Sequence, residues 1–176
     1  KGKVWPGECY FPDYTNPEVR EWWSGLFKEL IEDIGVKGVW NDMNEPAVME
    51  VPNKTFPDDV RHDYDGNPCS HRKAHNIYGM QMARATYQGL KKYAYPKRPF
   101  VITRAAYSGT QRYTSSWTGD NVATWDHLWI ANIQAQRMAM SGFSFVGSDI
   151  GGFAEQPSGE LFTRWIQLGI FHPFFR

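Results

Sequence analysis

Apolar positions early in the chain recur at steps of three and four. Val19, Trp22, Trp23, Leu26, Phe27, Leu30, Ile31 and Ile34 fall on one stripe, the period of an amphipathic helix. Asn16 before Pro17 offers an N-cap and a first-turn proline, and Gly35 a C-terminal stop. Ahead of this helix, residues 1–15 read as irregular, punctuated by Trp5-Pro6-Gly7 and Phe11-Pro12-Asp13. Behind it, a short apolar run through Val39 and Trp40 reads as a buried strand. The run ends in Asn41-Asp42-Met43-Asn44-Glu45-Pro46, the look of a strand whose C-terminal end opens into a polar pocket.

Residues 46–73 carry no period and are rich in Pro, Asp and Asn, which predicts a long functional loop or lid. Its acids and histidines (Asp58, Asp59, His62, Asp63, Asp65, His71) match no metal-ligand spacing, so the segment reads as a solvated loop. A helix is expected over 74–93, with Ile77, Met80, Ala83, Tyr87 and Leu90 facing inward and Pro96 and Pro99 stopping it. Phe100–Thr103 predicts a strand ending at Arg104, and Tyr113–Trp117 one ending at Gly119-Asp120. A helix over 126–141 follows, then a strand over Phe143–Gly147 ending at Ser148-Asp149, then a helix over 158–170.

The alternation predicts an α/β fold with a parallel sheet and crossover helices. Asp42, Arg104, Asp120 and Asp149 all fall at C-terminal strand ends, the face that carries the site in a (β/α)8 TIM barrel. Four strands make about half of the barrel, and 176 residues fall short of the roughly 250 of a complete one. A doubly wound sheet is the rival, but no glycine-rich phosphate loop supports it.

Composition narrows the chemistry. Formal net charge is zero, which gives no electrostatic case for nucleic acid or an acidic membrane surface. No apolar run approaches the roughly 20 residues of a membrane span. No signal peptide is read at Lys1. Cys9 and Cys69 read as ordinary thiols and leave the compartment open. Aromatic content reaches 16%, with 8 Trp, and Trp5, Trp40 and Trp117 stand beside polar punctuation. Such rings either build core or stack on sugar faces.

Two acids ending different strands are the minimum equipment for glycoside hydrolysis. One stays ionised at the anomeric carbon; the other delivers a proton to the leaving oxygen. Asp42, among Asn41 and Asn44, suits the first role, and Asp120, after Trp117 and Gly119, suits the second. Glu45 competes for either, and Asp120 or Asp126 has the alternative of capping the following helix.

Trp40-Asn41-Asp42-Met43-Asn44-Glu45-Pro46 resembles the signature of glycoside hydrolase family thirty-one, which includes α-glucosidases and α-xylosidases. Val4–Gly7, Phe11–Pro17, Ile102–Arg104, Trp117–Asn121, Gly147–Phe153 and Arg164–Gly169 resemble its other motifs, in family order. The resemblance implies that 1–176 is a central segment of a single catalytic (β/α)8 barrel, with 46–73 an active-site loop. It implies a retaining, exo-acting enzyme using no metal or other cofactor, with Asp42 as nucleophile and Asp120 as general acid/base. It places Arg104 and Asp149 on the sugar's hydroxyls and Trp5, Trp40, Met43, Trp117 and Phe153 on its apolar wall. The expected partner is an oligosaccharide or α-glucoside, with the remainder of the barrel needed for folding and activity. Early strands are expected before Lys1 and a substrate-binding histidine after Arg176; His172 does not occupy that motif position. Hydrolysis of terminal α-linked glucose is the leading expectation. An α-xylosidase, a transglycosylase and a non-catalytic carbohydrate-binding fragment are the alternatives.

Overall fold

The computed structural model describes residues 1–176, which divide into two compact units, Lys1–Thr114 and Ser115–Arg176. The first unit opens with a hairpin, β1 (Gly2–Val4) and β2 (Gly7–Cys9), paired antiparallel where an irregular segment was expected. Its turn is carried by Gly7 at φ 102°, a conformation natural to glycine.

The first amphipathic helix comes as two pieces, α1 (Pro17–Gly25) and α2 (Phe27–Glu32). Asn16 caps α1 as expected, its side chain accepting from the N–H groups of Glu18 at 2.8 Å and Val19 at 3.3 Å. The break follows Gly25, a weak helix former, where the Leu26 N–H turns to the Trp23 carbonyl three residues back. The predicted stripe divides in two. Trp23, Phe27 and Ile31 face the core, whereas Trp22, Leu26, Leu30 and Ile34 are exposed.

Helix α3 (His71–Tyr93) starts three residues earlier than predicted and packs chiefly against α1 and α2. Its buried positions are His71, Ala74, Tyr78, Gly79, Gln81, Ala83, Ala85, Thr86, Gly89 and Leu90, while Ile77, Met80 and Tyr87 are only half-buried. Small residues allow this close approach. A Cβ on Gly89 would sit 2.7 Å from the Ser24 carbonyl, and the Ser24 hydroxyl donates to the Ala85 carbonyl at 2.7 Å. The core of the unit is Phe27, Ile31, Leu90 and Val101.

Strands β3 (Val39–Asn41) and β6 (Val101–Thr103) pair in parallel, Asn41 opposite Thr103, so their C-terminal ends emerge side by side. Between them the 46–73 segment contains a small antiparallel ribbon, β4 (Arg61–His62) and β5 (Cys69–Ser70). His62 and His71 are buried, which corrects the solvated reading of this segment.

In the second unit β7 (Ser115–Trp117) and β8 (Val146–Gly147) are parallel, Trp117 opposite Gly147. Both are shorter than predicted. Helices α4 (Trp125–Met140) and α5 (Gly159–Gly169) are capped by Thr124 and Ser158 and bury Ala131, Leu161 and Trp165. Thr124, rather than Asp120 or Asp126, is the cap of α4. No helix is long and apolar enough to cross a membrane.

Candidate active site

Asp42 follows β3 directly, and Arg104 follows β6 directly. Parallel pairing carries the two side chains to one edge, reinforced by the Arg104 N–H donating to the Asn41 carbonyl at 3.1 Å. Arg104 Nη1 lies 3.0 Å from Asp42 Oδ1. The rest of the guanidinium is taken by Glu45: Nε to Oε1 at 2.8 Å and Nη2 to Oε2 at 3.1 Å. A two-toothed pair of this kind fixes the guanidinium plane. Glu45, a rival for the catalytic role from sequence, thus has both oxygens engaged by Arg104. Met43 Sδ also receives Arg104 Nη2 at 2.9 Å, from a residue held at φ 57°.

The turn between Asp42 and Pro46 is anchored from behind. Asn44, buried, donates to Thr103 Oγ1 at 2.8 Å and accepts from the Ala105 N–H at 3.1 Å. Gly79 of α3 makes room for it: a Cβ there would sit 2.6 Å from the Asn44 carbonyl. Asp42 and Met43 open onto a cavity of about 410 Å³ walled by Trp5, Tyr10, Tyr14, Trp22 and Trp23. Trp5 is exposed at its mouth and Trp40 is exposed on β3. Tyr78, also on this wall, donates its hydroxyl to the Pro12 carbonyl at 2.8 Å, and burial pushes that hydroxyl's pKa far up, so it remains a donor.

In the second unit Trp117 is buried at the end of β7 and Asp120 is exposed three residues past it, after Gly119 at φ 85°. Asn121 links this loop to the one after β8. Its side chain donates to the Asp149 carbonyl at 3.0 Å and accepts from the Phe153 N–H at 3.0 Å. Val122 bridges Ala154 in parallel. Asp149, nearly buried, pairs through Oδ1 with Arg176 Nη2, and the Arg176 guanidinium carbon lies 5.8 Å from the Trp117 ring centroid. Phe153 is exposed.

The structure therefore brings Asp42, Met43 and Arg104 together within the first unit, and Trp117, Asp149 and the Asp120 loop together within the second. Sequence reasoning missed the Arg104-clamping role of Glu45, the bracing by Asn44, and Arg176. The first was foreshadowed by an acid three residues from Asp42; Arg176 had no signal in spacing.

The chain is similar throughout to known proteins. The family model described as "Glycosyl hydrolases family 31 TIM-barrel domain" matches residues 1–176. Alpha-glucosidase 2 of Bacillus thermoamyloliquefaciens is 50% identical over 175 residues, 99% of this chain and 22% of that protein. Neutral alpha-glucosidase AB of Homo sapiens is 44% identical over 179 residues, 100% of this chain and 19% of that protein. Among solved structures, a glucosidase II alpha subunit superposes with TM-score 0.91 at 44% identity, over 99% of this chain and 19% of that one. A family 31 alpha-glucosidase from Bacteroides thetaiotaomicron gives TM-score 0.85 at 42% identity, over 99% and 27%. The chain spans about a fifth of the length of the curated relatives it matches. With its parallel strands, crossover helices and strand-end polar groups, the chain belongs to the TIM-barrel domain of glycosyl hydrolase family 31, of which it forms part.

Proposed function

We propose that the protein carrying this chain is a retaining, exo-acting α-glycoside hydrolase that releases terminal α-linked glucose. The observation that carries the reading is Asp42: a carboxylate on a strand end, held by Arg104 and facing an aromatic cavity, inside a chain matched along its whole length by a glycoside hydrolase family. The names of the relatives, alpha-glucosidases, support the choice of sugar.

In this reading Asp42 Oδ attacks the anomeric carbon as the glycosidic bond breaks, and Asp120 gives its proton to the leaving oxygen. A glycosyl ester forms on Asp42. Asp120, now a carboxylate, takes a proton from water, whose oxygen attacks the anomeric carbon and frees Asp42. Two inversions retain the α configuration. The pre-aimed Arg104 guanidinium and the braced turn keep Asp42 from reorganising during attack. Arg104 and Asp149 serve as polar grips on the sugar, and Trp5, Trp40, Met43, Trp117 and Phe153 as its apolar wall. The remainder of the barrel is needed to close the site. Exposed Ile166, Ile170 and Phe171 on and after α5 suit burial under further chain.

Asp42→Asn in the full-length protein should lower turnover of an aryl α-glucoside by at least about 10⁴-fold, the scale of losing a covalent nucleophile. A 5-fluoro α-glucosyl fluoride should label Asp42. Labelling of Glu45, or a variant with near-normal turnover, would remove Asp42 from the role.

A further inference from the structure

We propose that Asp13, His62, His71 and His75 form an oriented hydrogen-bond chain that positions the aromatic wall of the cavity beside Asp42. The proposal rests on the reading that this cavity receives the sugar. Four side chains from three parts of the first unit meet end to end. Asp13 lies between β2 and α1, His62 on β4, and His71 and His75 in the first turns of α3. His62 Nδ1 is 2.9 Å from Asp13 Oδ1, His62 Nε2 is 2.9 Å from His71 Nδ1, and His71 Nε2 is 2.9 Å from His75 Nδ1.

With all three rings taken as neutral, valence sets the direction of the chain. An ionised Asp13 only accepts, so His62 Nδ1 carries hydrogen. A neutral His62 then has a lone pair at Nε2, which requires hydrogen on His71 Nδ1. The same step repeats, placing hydrogen on His75 Nδ1. Every imidazole is therefore an Nδ1–H tautomer, and the donors all point toward Asp13. The ionised state of Asp13 is secured by its other partners. Burial alone would raise its pKa, but hydrogen bonds from His62, the Asp63 N–H and the Thr15 hydroxyl and N–H bring it down to about 2.

The chain matters for the cavity because Asp13 sits among its wall residues. Tyr10, Phe11, Pro12 and Tyr14 all line the space beside Asp42, and the Pro12 carbonyl takes the Tyr78 hydroxyl. Phe56 from the long loop packs edge-on against both Phe11 at 5.0 Å and His71 at 5.1 Å. The β4–β5 ribbon has only two residues per strand, too short to fix the loop unaided. The imidazoles thus transmit the position of α3, through the loop, to the 10–14 segment.

The charged and polar groups around His71 are few: Asp13 from the N-terminal segment through His62, Asp58 from the loop, His75 from α3, and the Thr55 hydroxyl at 3.5 Å from Nε2. A proton on His71 meets burial first and the other two imidazoles next, which outweigh Asp58. Burial and its neighbours therefore hold the His71 ring neutral.

The experiment uses the full-length protein and compares His71→Leu with His71→Gln, the latter able to keep one hydrogen bond. We expect His71→Leu to raise KM for an aryl α-glucoside at least about tenfold with kcat within about threefold, and His71→Gln to recover part of the loss. An unchanged KM, or a loss confined to kcat, overturns the proposal. If His71→Leu does not fold, neutron diffraction or ¹⁵N-histidine resonances of the unaltered protein decide. Hydrogen on Nδ1 of all three rings is expected, and an Nε2–H tautomer at His62 or His71 overturns the chain. Absence of α-glucoside turnover in the parent protein defeats the functional reading itself. Normal parent turnover with an indifferent His71→Leu defeats this inference alone.

Discussion

The two strand-end acids both reach solvent but are held differently. Asp42 is backed by the buried Asn41 and Asn44, paired with Arg104, and set in a turn that α3 presses through Gly79. Asp120 is exposed, one step past a left-handed glycine, on a loop whose anchor is the next residue, Asn121. A carboxylate that must attack one atom gains from immobility, because misplacement by an ångström costs rate steeply. The difference supports the proposed division of labour without any appeal to spacing.

The comparison breaks most sharply at the acids themselves. Asp120→Asn should cost about 10² to 10⁴ in kcat for a poor leaving group, and far less for a dinitrophenyl α-glucoside, which departs without protonation. Asp42→Asn should be equally damaging for both substrates. Equal losses for Asp120→Asn on both substrates would merge the two roles. A smaller effect tests the rigidity around Asp42. Glu45→Gln removes the charge that aims Arg104 and should lower kcat/KM about ten- to a hundredfold, the worth of a charge-assisted hydrogen bond. Labelling should still fall on Asp42, which separates clamp from nucleophile.

Acid should loosen the first unit. His71 has its pKa lowered to about 4, chiefly by burial, against 6.5 in the unfolded chain. The unfolded state therefore binds the additional proton between those values. The stability is whole above about pH 6.5 and lost as pH falls toward 4. Asp13 adds to the loss from pH 3.8 down to about 2. Denaturant titrations across this range should show a flatter slope for His71→Gln, and an equal slope would show that His71 does not titrate there. The smallest effects separate the units. Gly89→Ala should destabilise by about 1–3 kcal/mol, because its Cβ meets backbone at 2.7 Å. Gly159→Ala, with nothing within 4 Å, should be neutral or gain up to about 1 kcal/mol. Melting temperatures of the two variants are the check.

Strand-end polar residues and long helices were legible because each follows from a local rule. Asp42, Arg104, Asp120 and Asp149 each come within a few residues of a run of strand-forming residues, and α3, α4 and α5 lie within three residues of their predicted bounds. What escaped depended on distance partners. Nothing local marks Trp22 as exposed and Trp23 as half-buried; contacts of Trp23 with Tyr14, Thr86 and Phe27, distant in sequence or on the next helix, decide it. His62 and His71 looked like loop polars because the chain they join ends on Asp13, 49 residues before His62. The β1–β2 hairpin was hidden because its strands are three residues each, too short for alternation to show.

The Asn121 carboxamide carries a consequence for anyone redesigning this scaffold. One planar group accepts from Phe153 and donates to Asp149, and its backbone neighbour is the proposed proton donor. Grafting a foreign 149–154 loop to alter sugar preference would also shift Asp120. On the proposed roles, selectivity and proton delivery are inherited as one cassette, and exchanges that keep turnover are expected to move 119–122 together with 149–154.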